Sequence, residues 1–154
     1  WHHPEAEKLF CEEVDVGEDK PRQIASGLRP FYKTEDLQDR RCMVLCNLKA
    51  RNLVGFPSHG MVMCASNADH TSVEFIVPPP EAKIGERVEF DGISSAEKSP
   101  EPENKVAKKK MFEKLAPDLK TNEKGEVMWK THISKTSAGG PMVALKGMAN
   151  AQVA

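Results

Sequence analysis

Residues 47–60, Asn47-Leu48-Lys49-Ala50-Arg51-Asn52-Leu53-Val54-Gly55-Phe56-Pro57-Ser58-His59-Gly60, join two apolar runs at 42–48 and 61–65. The segment 41–48 (RCMVLCNL) is apolar at odd and even positions alike, which predicts a strand buried on both faces, as in a barrel or sandwich. The same holds for 60–65. Between them lie two cations, Lys49 and Arg51, then Gly55, Pro57 and a Ser-His-Gly turn. Such a loop carries donors for anionic oxygens at the end of a sheet. It holds no nucleophile–base pair, because adjacent Ser58 and His59 on an extended chain point to opposite sides.

Outward from this stretch the chain punctuates itself into short strands. Residues 8–16 (KLFCEEVDV) and 22–28 (RQIASGL) flank the turn chemistry of 17–21 and predict a hairpin, with Gly27 marking a bulge or tight bend. Thr34 is expected to cap a helical turn over 35–38. After a turn at 67–71, 72–77 (SVEFIV) predicts a strand stopped by Pro78-Pro79-Pro80, and 87–90 (RVEF) a short one. Residues 103–115 predict one helix halted by Pro117, with Met111, Phe112 and Leu115 on its apolar stripe. Two further strands are expected at 127–132 and 142–146. The fold class that follows is all-β, a barrel over 1–92, then a linker at 93–102, a small α+β subdomain at 103–146, and a tail at 147–154 expected to fray.

The chain has 154 residues and a formal net charge of −1, yet the charge is sorted into blocks. Residues 1–103 carry 12 Lys and Arg against 19 Asp and Glu, whereas 104–154 carry 10 against 4. Within the acidic part, 29–51 runs the other way: Arg29, Lys33, Arg40, Arg41, Lys49 and Arg51 face only Glu35, Asp36 and Asp39. Block sorting can make a positive face on a neutral protein. No apolar run approaches the roughly 20 residues that span a bilayer, and no secretory segment opens the sequence. Cys11, Cys42, Cys46 and Cys64 form no CxxC and read as reduced core thiols. His2 and His3 diverge, so no metal and no cofactor are expected.

There is no P-loop and no dinucleotide fingerprint, and the paired acids Glu12-Glu13 and Glu35-Asp36 lack the apolar cleft that tunes a catalytic carboxylate. A nucleic-acid reading needs cations on a rim plus planar groups for stacking. The cations are Arg29, Lys33, Arg40, Arg41, Lys49 and Arg51, with Lys108, Lys109 and Lys110 further on. Phe56, between Gly55 and Pro57, is the better stacking residue, and His59 is a second. Phe31 and Tyr32 read equally well as a core plug. This content suits recognition of a folded RNA by backbone and shape.

Taken together, the motifs resemble the tRNA-binding domain appended to aminoacyl-tRNA synthetases and their cofactors. The family includes the endothelial-monocyte-activating polypeptide II module and C-terminal domains of methionyl- and tyrosyl-tRNA synthetases. Its linking loop is matched at Asn47, Leu48, Lys49, Gly55, Ser58, Gly60, Met61 and Ala65. Upstream, His3-Pro4-Glu5-Ala6-Glu7-Lys8-Leu9, Val14-Asp15-Val16-Gly17, Ser26-Gly27-Leu28 and 35–40 also agree. Downstream, Pro78-Pro79, 84–87, and Lys108-Lys109-Lys110 with Phe112-Glu113 resemble the eukaryotic members.

The resemblance implies an OB-fold barrel that binds tRNA with little sequence selectivity and without catalysis. It also implies a C-terminal subdomain that imitates a dimer interface, so that a monomer presents a pseudo-dimer surface in the cytoplasm. By position it assigns Asn47, Lys49 and Ser58 to the loop contact, with the lysine run as a second contact. Two departures stand out. Asn52-Leu53-Val54 replaces the family's Lys-x-Arg, and the family's first strand is missing ahead of Trp1. The expected partners are tRNA and a synthetase. The alternatives are a protein-interaction module of a multi-synthetase assembly, or a cytokine-like secreted fragment.

Overall fold

In the computed structural model, residues 1–93, 99–137 and 139–154 are described. The first hairpin forms as its sequence predicts: β1 (Phe10–Val14) pairs antiparallel with β2 (Arg22–Ser26), from Phe10↔Ser26 to Val14↔Arg22. Its turn is closed by Asp15 Oδ1, which accepts the Gly17 N–H at 2.9 Å. Gly17 has φ +83°, and a Cβ there would stand 2.9 Å from the Gly85 Cα, so turn and loop meet where neither tolerates a side chain. Helix α1 (Thr34–Leu37) starts one residue earlier than expected. Lys33, not Thr34, is its N-cap, because the Asp36 carboxylate reaches back to accept the Lys33 N–H at 2.8 Å.

The central strands are more broken than the apolar runs suggest. The run 41–48 contributes only β3 (Val44–Leu45), which pairs with β6 (Met61–Val62). At Met63 the chain changes partner. The Met63 N–H donates to Met43 O (2.8 Å), the Met43 N–H to Ile76 O (3.0 Å), and the Ile76 N–H to Met63 O (3.2 Å). This three-way junction wedges Met43 between two strands and ends the β3 ladder. Beyond it, β7 (Cys64–Ser66) pairs with β8 (Val73–Val77).

An eight-stranded antiparallel sheet follows in the order β13-β8-β7-β14-β10-β11-β12-β9. Its other members are β9 (Glu89–Phe90), β10 (Leu119–Thr121), β11 (Val127–Trp129), β12 (His132–Lys135), β13 (Val143–Ala144) and β14 (Gln152–Val153). The protein is mostly β with few helices, as expected. Among the described residues its ladders form four sheets rather than one closed barrel.

The expectation of strands buried on both faces holds for 62–65, whereas 42–48 is half-buried on both faces. Val44, Val62, Cys42 and Cys64 turn to a first core with Phe10, Ile24, Leu28 and Phe75. Met43, Leu45, Met61, Met63 and Ala65 turn to a second core with Ile76, Leu119, Val127, Met142, Ala144, Ala151 and Val153. Tyr32 belongs to the plug: its ring lies 4.8 Å from that of Phe75 and its hydroxyl donates to Val73 O at 2.7 Å. The four cysteines are free thiols. Burial pushes Cys42 up to about 11 and Cys64 up to about 12, so both stay protonated at neutral pH.

Three expectations for the C-terminal part are corrected. The single helix over 103–115 is two, α2 (Glu103–Lys108) and α3 (Met111–Leu115), because Lys110 takes a left-handed conformation at φ +49°. Like-charged lysines four apart weaken a continuous helix at this point. The strand expected at 127–132 is a hairpin turned at Lys130, φ +55°. The tail does not fray: β14 lies between β7 and β10, with Ala151 and Val153 buried. Thr121 Oγ1 donates to Met148 O and accepts the Ala151 N–H, while Glu74 Oε1 accepts the N–H groups of Lys146 and Met148. Most of the linker, 94–98, lies outside the described residues.

Candidate nucleic-acid interface

The segment 47–60 is not a plain loop. It contains a hairpin, β4 (Arg51–Leu53) with β5 (Phe56–Ser58), in the register Arg51↔Ser58 to Leu53↔Phe56. Val54 (φ +51°) and Gly55 (φ +81°) form its two-residue tip. Both central residues of such a primed turn need positive φ, which suits Gly55 and strains a β-branched Val54. Asn52 Oδ1 offsets part of that strain by accepting the Gly55 N–H at 2.7 Å.

Three buried or half-buried groups fix the hairpin to the body. Ser58, 5% exposed, accepts the Ala25 N–H at 3.0 Å and donates to Gly60 O at 3.2 Å. His3 Nδ1 accepts the N–H groups of Glu5 and Ala6, so Nε2 carries the proton and donates to Leu53 O at 3.1 Å. Arg22 sits at the root. Its Nε and Nη2 grip both oxygens of Glu18 (2.6 and 2.9 Å), and its Nη1 donates to Cys46 O and His59 O (2.7 and 2.8 Å). Neither the Arg22 clamp nor the His3 anchor is apparent from the sequence, since their partners are carbonyl oxygens 24 to 50 residues away.

The thirteen residues singled out above divide sharply. Lys49, Arg51, Lys33, Lys108, Lys109 and Lys110 are exposed, and their side chains have no polar partner among the described residues. Others are committed within the protein. Asn47 Nδ2 donates to Glu101 O at 3.1 Å, Arg29 to Ala6 O, and Arg41 to Pro80 O and Ala82 O. Arg40 donates to Asp36 O and lies 5.8 Å from the Phe75 ring centre. Ser58 is buried and fully bonded. Phe56 is half-buried, edge-on to Trp1 at 6.0 Å and to His3 at 6.3 Å, and His59 is exposed.

The Asn47–Glu101 bond brings the hairpin's root beside the start of α2, where Glu101 also pairs with Lys105 at 2.9 Å. Between them lies an open depression of about 490 Å³, lined by Arg22, Gln23, Leu48, His59, Glu18 and Glu103. Ser58 and His59 make no catalytic couple, because the Ser58 hydroxyl donates to a backbone carbonyl. What the geometry offers is a rigid rim with unpaired cations.

Residues 1–87 match a family model described as "Putative tRNA binding domain". The chain is 44% identical over 152 residues to a "Probable methionine--tRNA ligase" of Oryza sativa subsp. japonica, covering 98% of this chain and 18% of that one. It is 44% identical over 138 residues to a "Tyrosine--tRNA ligase, cytoplasmic" of Gallus gallus, covering 89% and 26%. An "Aminoacyl tRNA synthase complex-interacting multifunctional protein 1" of Mus musculus is 42% identical over 121 residues, covering 78% and 37%. The chain thus spans between about a fifth and two fifths of the length of these relatives. Among solved structures, the C-terminal domain of Plasmodium vivax p43 superposes with a TM-score of 0.88 at 32% identity, over 99% of this chain and 88% of that one. By the model that matches more than half of its length, the chain belongs to the tRNA-binding domain family.

Proposed function

We propose that this chain is a non-catalytic module that binds tRNA through its phosphate backbone and holds it for an aminoacyl-tRNA synthetase in the cytoplasm. One observation carries the reading. The family match over 1–87 includes the hairpin that displays Lys49 and Arg51 without partners. Point cations on a fixed rim neutralise phosphates and release condensed counterions whatever the base sequence, which gives affinity with little selectivity. The lysine run of α2 and its neighbours, tied to the same end through Asn47 and Glu101, supplies a second contact. The names of the relatives, two tRNA ligases and a synthase complex-interacting protein, support the choice of partner. We read the fold as an OB-type barrel whose ladder is interrupted at Met63, and the C-terminal strands as the covering subdomain that keeps the chain monomeric.

The test is tRNA binding as a function of salt. Three to five engaged cations give a log–log slope of roughly −2 to −4.5, at about −0.7 to −0.9 per phosphate. A flat response together with binding to a synthetase would instead support the protein-interaction reading.

A further inference from the structure

The cationic rim accounts for phosphates, but it leaves the depression at the hairpin's root unexplained. Arg22 lines that depression, and its side chain keeps 24% of its surface exposed. Its guanidinium is unusual in how completely its edge is occupied: four of its five N–H groups are bonded, two to Glu18 and two to backbone carbonyls. Such bonds lie in the guanidinium plane. Only one Nη2 N–H is left there for a further ligand, and the flat face is what stacks on planar groups.

The surroundings select what can stack there. Leu48 supplies an apolar wall and His59 a second ring, both at the ends of the cationic hairpin. The Glu18 carboxylate is bonded to Arg22, while the Glu103 carboxylate makes no hydrogen bond among the described residues and lies near enough to act on the Arg22 charge. A carboxylate without a bonded donor repels a phosphate but accepts hydrogen bonds from an exocyclic amine. Lys49 follows Leu48 directly, so a phosphate at the rim and a base in the depression can belong to neighbouring parts of one strand. The volume, about 490 Å³, falls within the roughly 300–1,000 Å³ of small-ligand sites.

We propose that the depression seats one unstacked nucleobase bearing an exocyclic amine, stacked on the face of Arg22 with Glu103 as acceptor. This rests on the tRNA-binding reading and adds to it a base contact that the rim lysines do not make. Arg22 is then a binding residue as well as a clamp.

The test uses the whole chain and keeps Arg22 in place. In ¹⁵N-labelled protein, the Arg22 Nε–Hε resonance should move upfield when tRNA binds. It should also move with AMP or CMP, less with UMP, and not with ribose 5-phosphate. Gln23→Trp, at an exposed lining position, places an indole in the seat. It should lower tRNA affinity about tenfold without changing the salt slope, since no phosphate contact is lost. If native protein binds tRNA and the Arg22 Hε does not move, the stacking proposal is overturned, whatever Gln23→Trp does. Unchanged affinity in Gln23→Trp also overturns it. If native protein binds no tRNA at all, the functional reading fails, and the base seat with it.

Discussion

The core beneath the cationic hairpin and the core behind it solve different problems. The second core gathers nine buried residues, all apolar, from the middle and the C-terminal part of the chain. The first is smaller, with six. Each has a carboxylate at its edge. Glu74, on the second core's face of β8, is 8% exposed and accepts two backbone N–H groups, whereas Glu12 on β1, half-buried beside the first, accepts only the Ser26 hydroxyl, at its Oε1. Its Oε2 is buried without a partner. The difference teaches that the rim is carried by the smaller core, whose carboxylate is incompletely bonded, while the larger core is closed by the sheet that the C-terminal segment completes. Substitutions in the two regions should therefore separate folding from binding.

The largest effect is expected at the second core. Deleting residues 152–154 removes the strand between β7 and β10, the burial of Val153, and the paired backbone bonds of Cys64 with Ala154. Burial of one valine alone is worth about 1.5–3 kcal/mol, and several ladder bonds are lost with it. Denaturant unfolding should show a loss of roughly 3 kcal/mol or more. A midpoint equal to that of the full chain would mean that the sheet does not need β14.

Next is Glu12, whose carboxyl burial pushes up from 4.5 to about 7 against the opposing pull of the Ser26 bond and the N-terminal ammonium. A carboxyl with a folded-state pKa above its unfolded value favours folding when protonated. Its contribution is therefore fully present below about pH 4.5 and is lost as pH rises to 7, by roughly 3 kcal/mol at most. Glu12→Gln should flatten that fall. The comparison is of unfolding midpoints for both proteins at pH 5 and pH 8, and parallel pH profiles would show that Glu12 is not buried as a charge.

Ser58→Ala comes third. It leaves the Ala25 N–H unsatisfied in a buried site, at about 1–3 kcal/mol, and loosens the hairpin from β2. Stability and tRNA affinity should fall together. A variant as stable as the native protein would indicate that water replaces the hydroxyl. Smallest on stability is Lys108, Lys109 and Lys110→Ala, within about 0.5 kcal/mol because all three are exposed. It should weaken tRNA binding less per residue than loss of the hairpin's cations, since Lys110 sits at a break between two short helices. A larger loss than at the hairpin would invert the order of the two contacts.

The sequence makes some of this plain and hides the rest for identifiable reasons. Runs such as 41–48 and 60–65 show that both faces meet apolar neighbours, because alternation is absent where two cores meet; they do not show that 42–48 stays half-buried. They cannot show that β3 begins only at Val44, since that follows from Met43 bonding across to Ile76 and Met63. The β4–β5 hairpin is hidden because its tip is Val-Gly, where Asn-Gly would have announced a primed turn. β14 is hidden because Ala151-Gln152-Val153-Ala154 is too short to signal a strand and becomes one only between its neighbours. Lys49 and Arg51 could be picked out from their place in a turn-rich segment. Ser58 and Asn47 could be located by the same pattern, but only the structure shows their polar groups bonded inward.

The most direct test of the central claim is the salt dependence of tRNA binding by Lys49→Ala/Arg51→Ala, compared with the native chain. Both side chains are exposed and unpartnered, so the variant should unfold at nearly the same denaturant concentration. Its affinity at low salt should fall, and its log–log slope should become shallower by about 1.4 to 1.8, the loss of two phosphate contacts. A folded double variant that binds tRNA with native affinity and native slope would contradict the account.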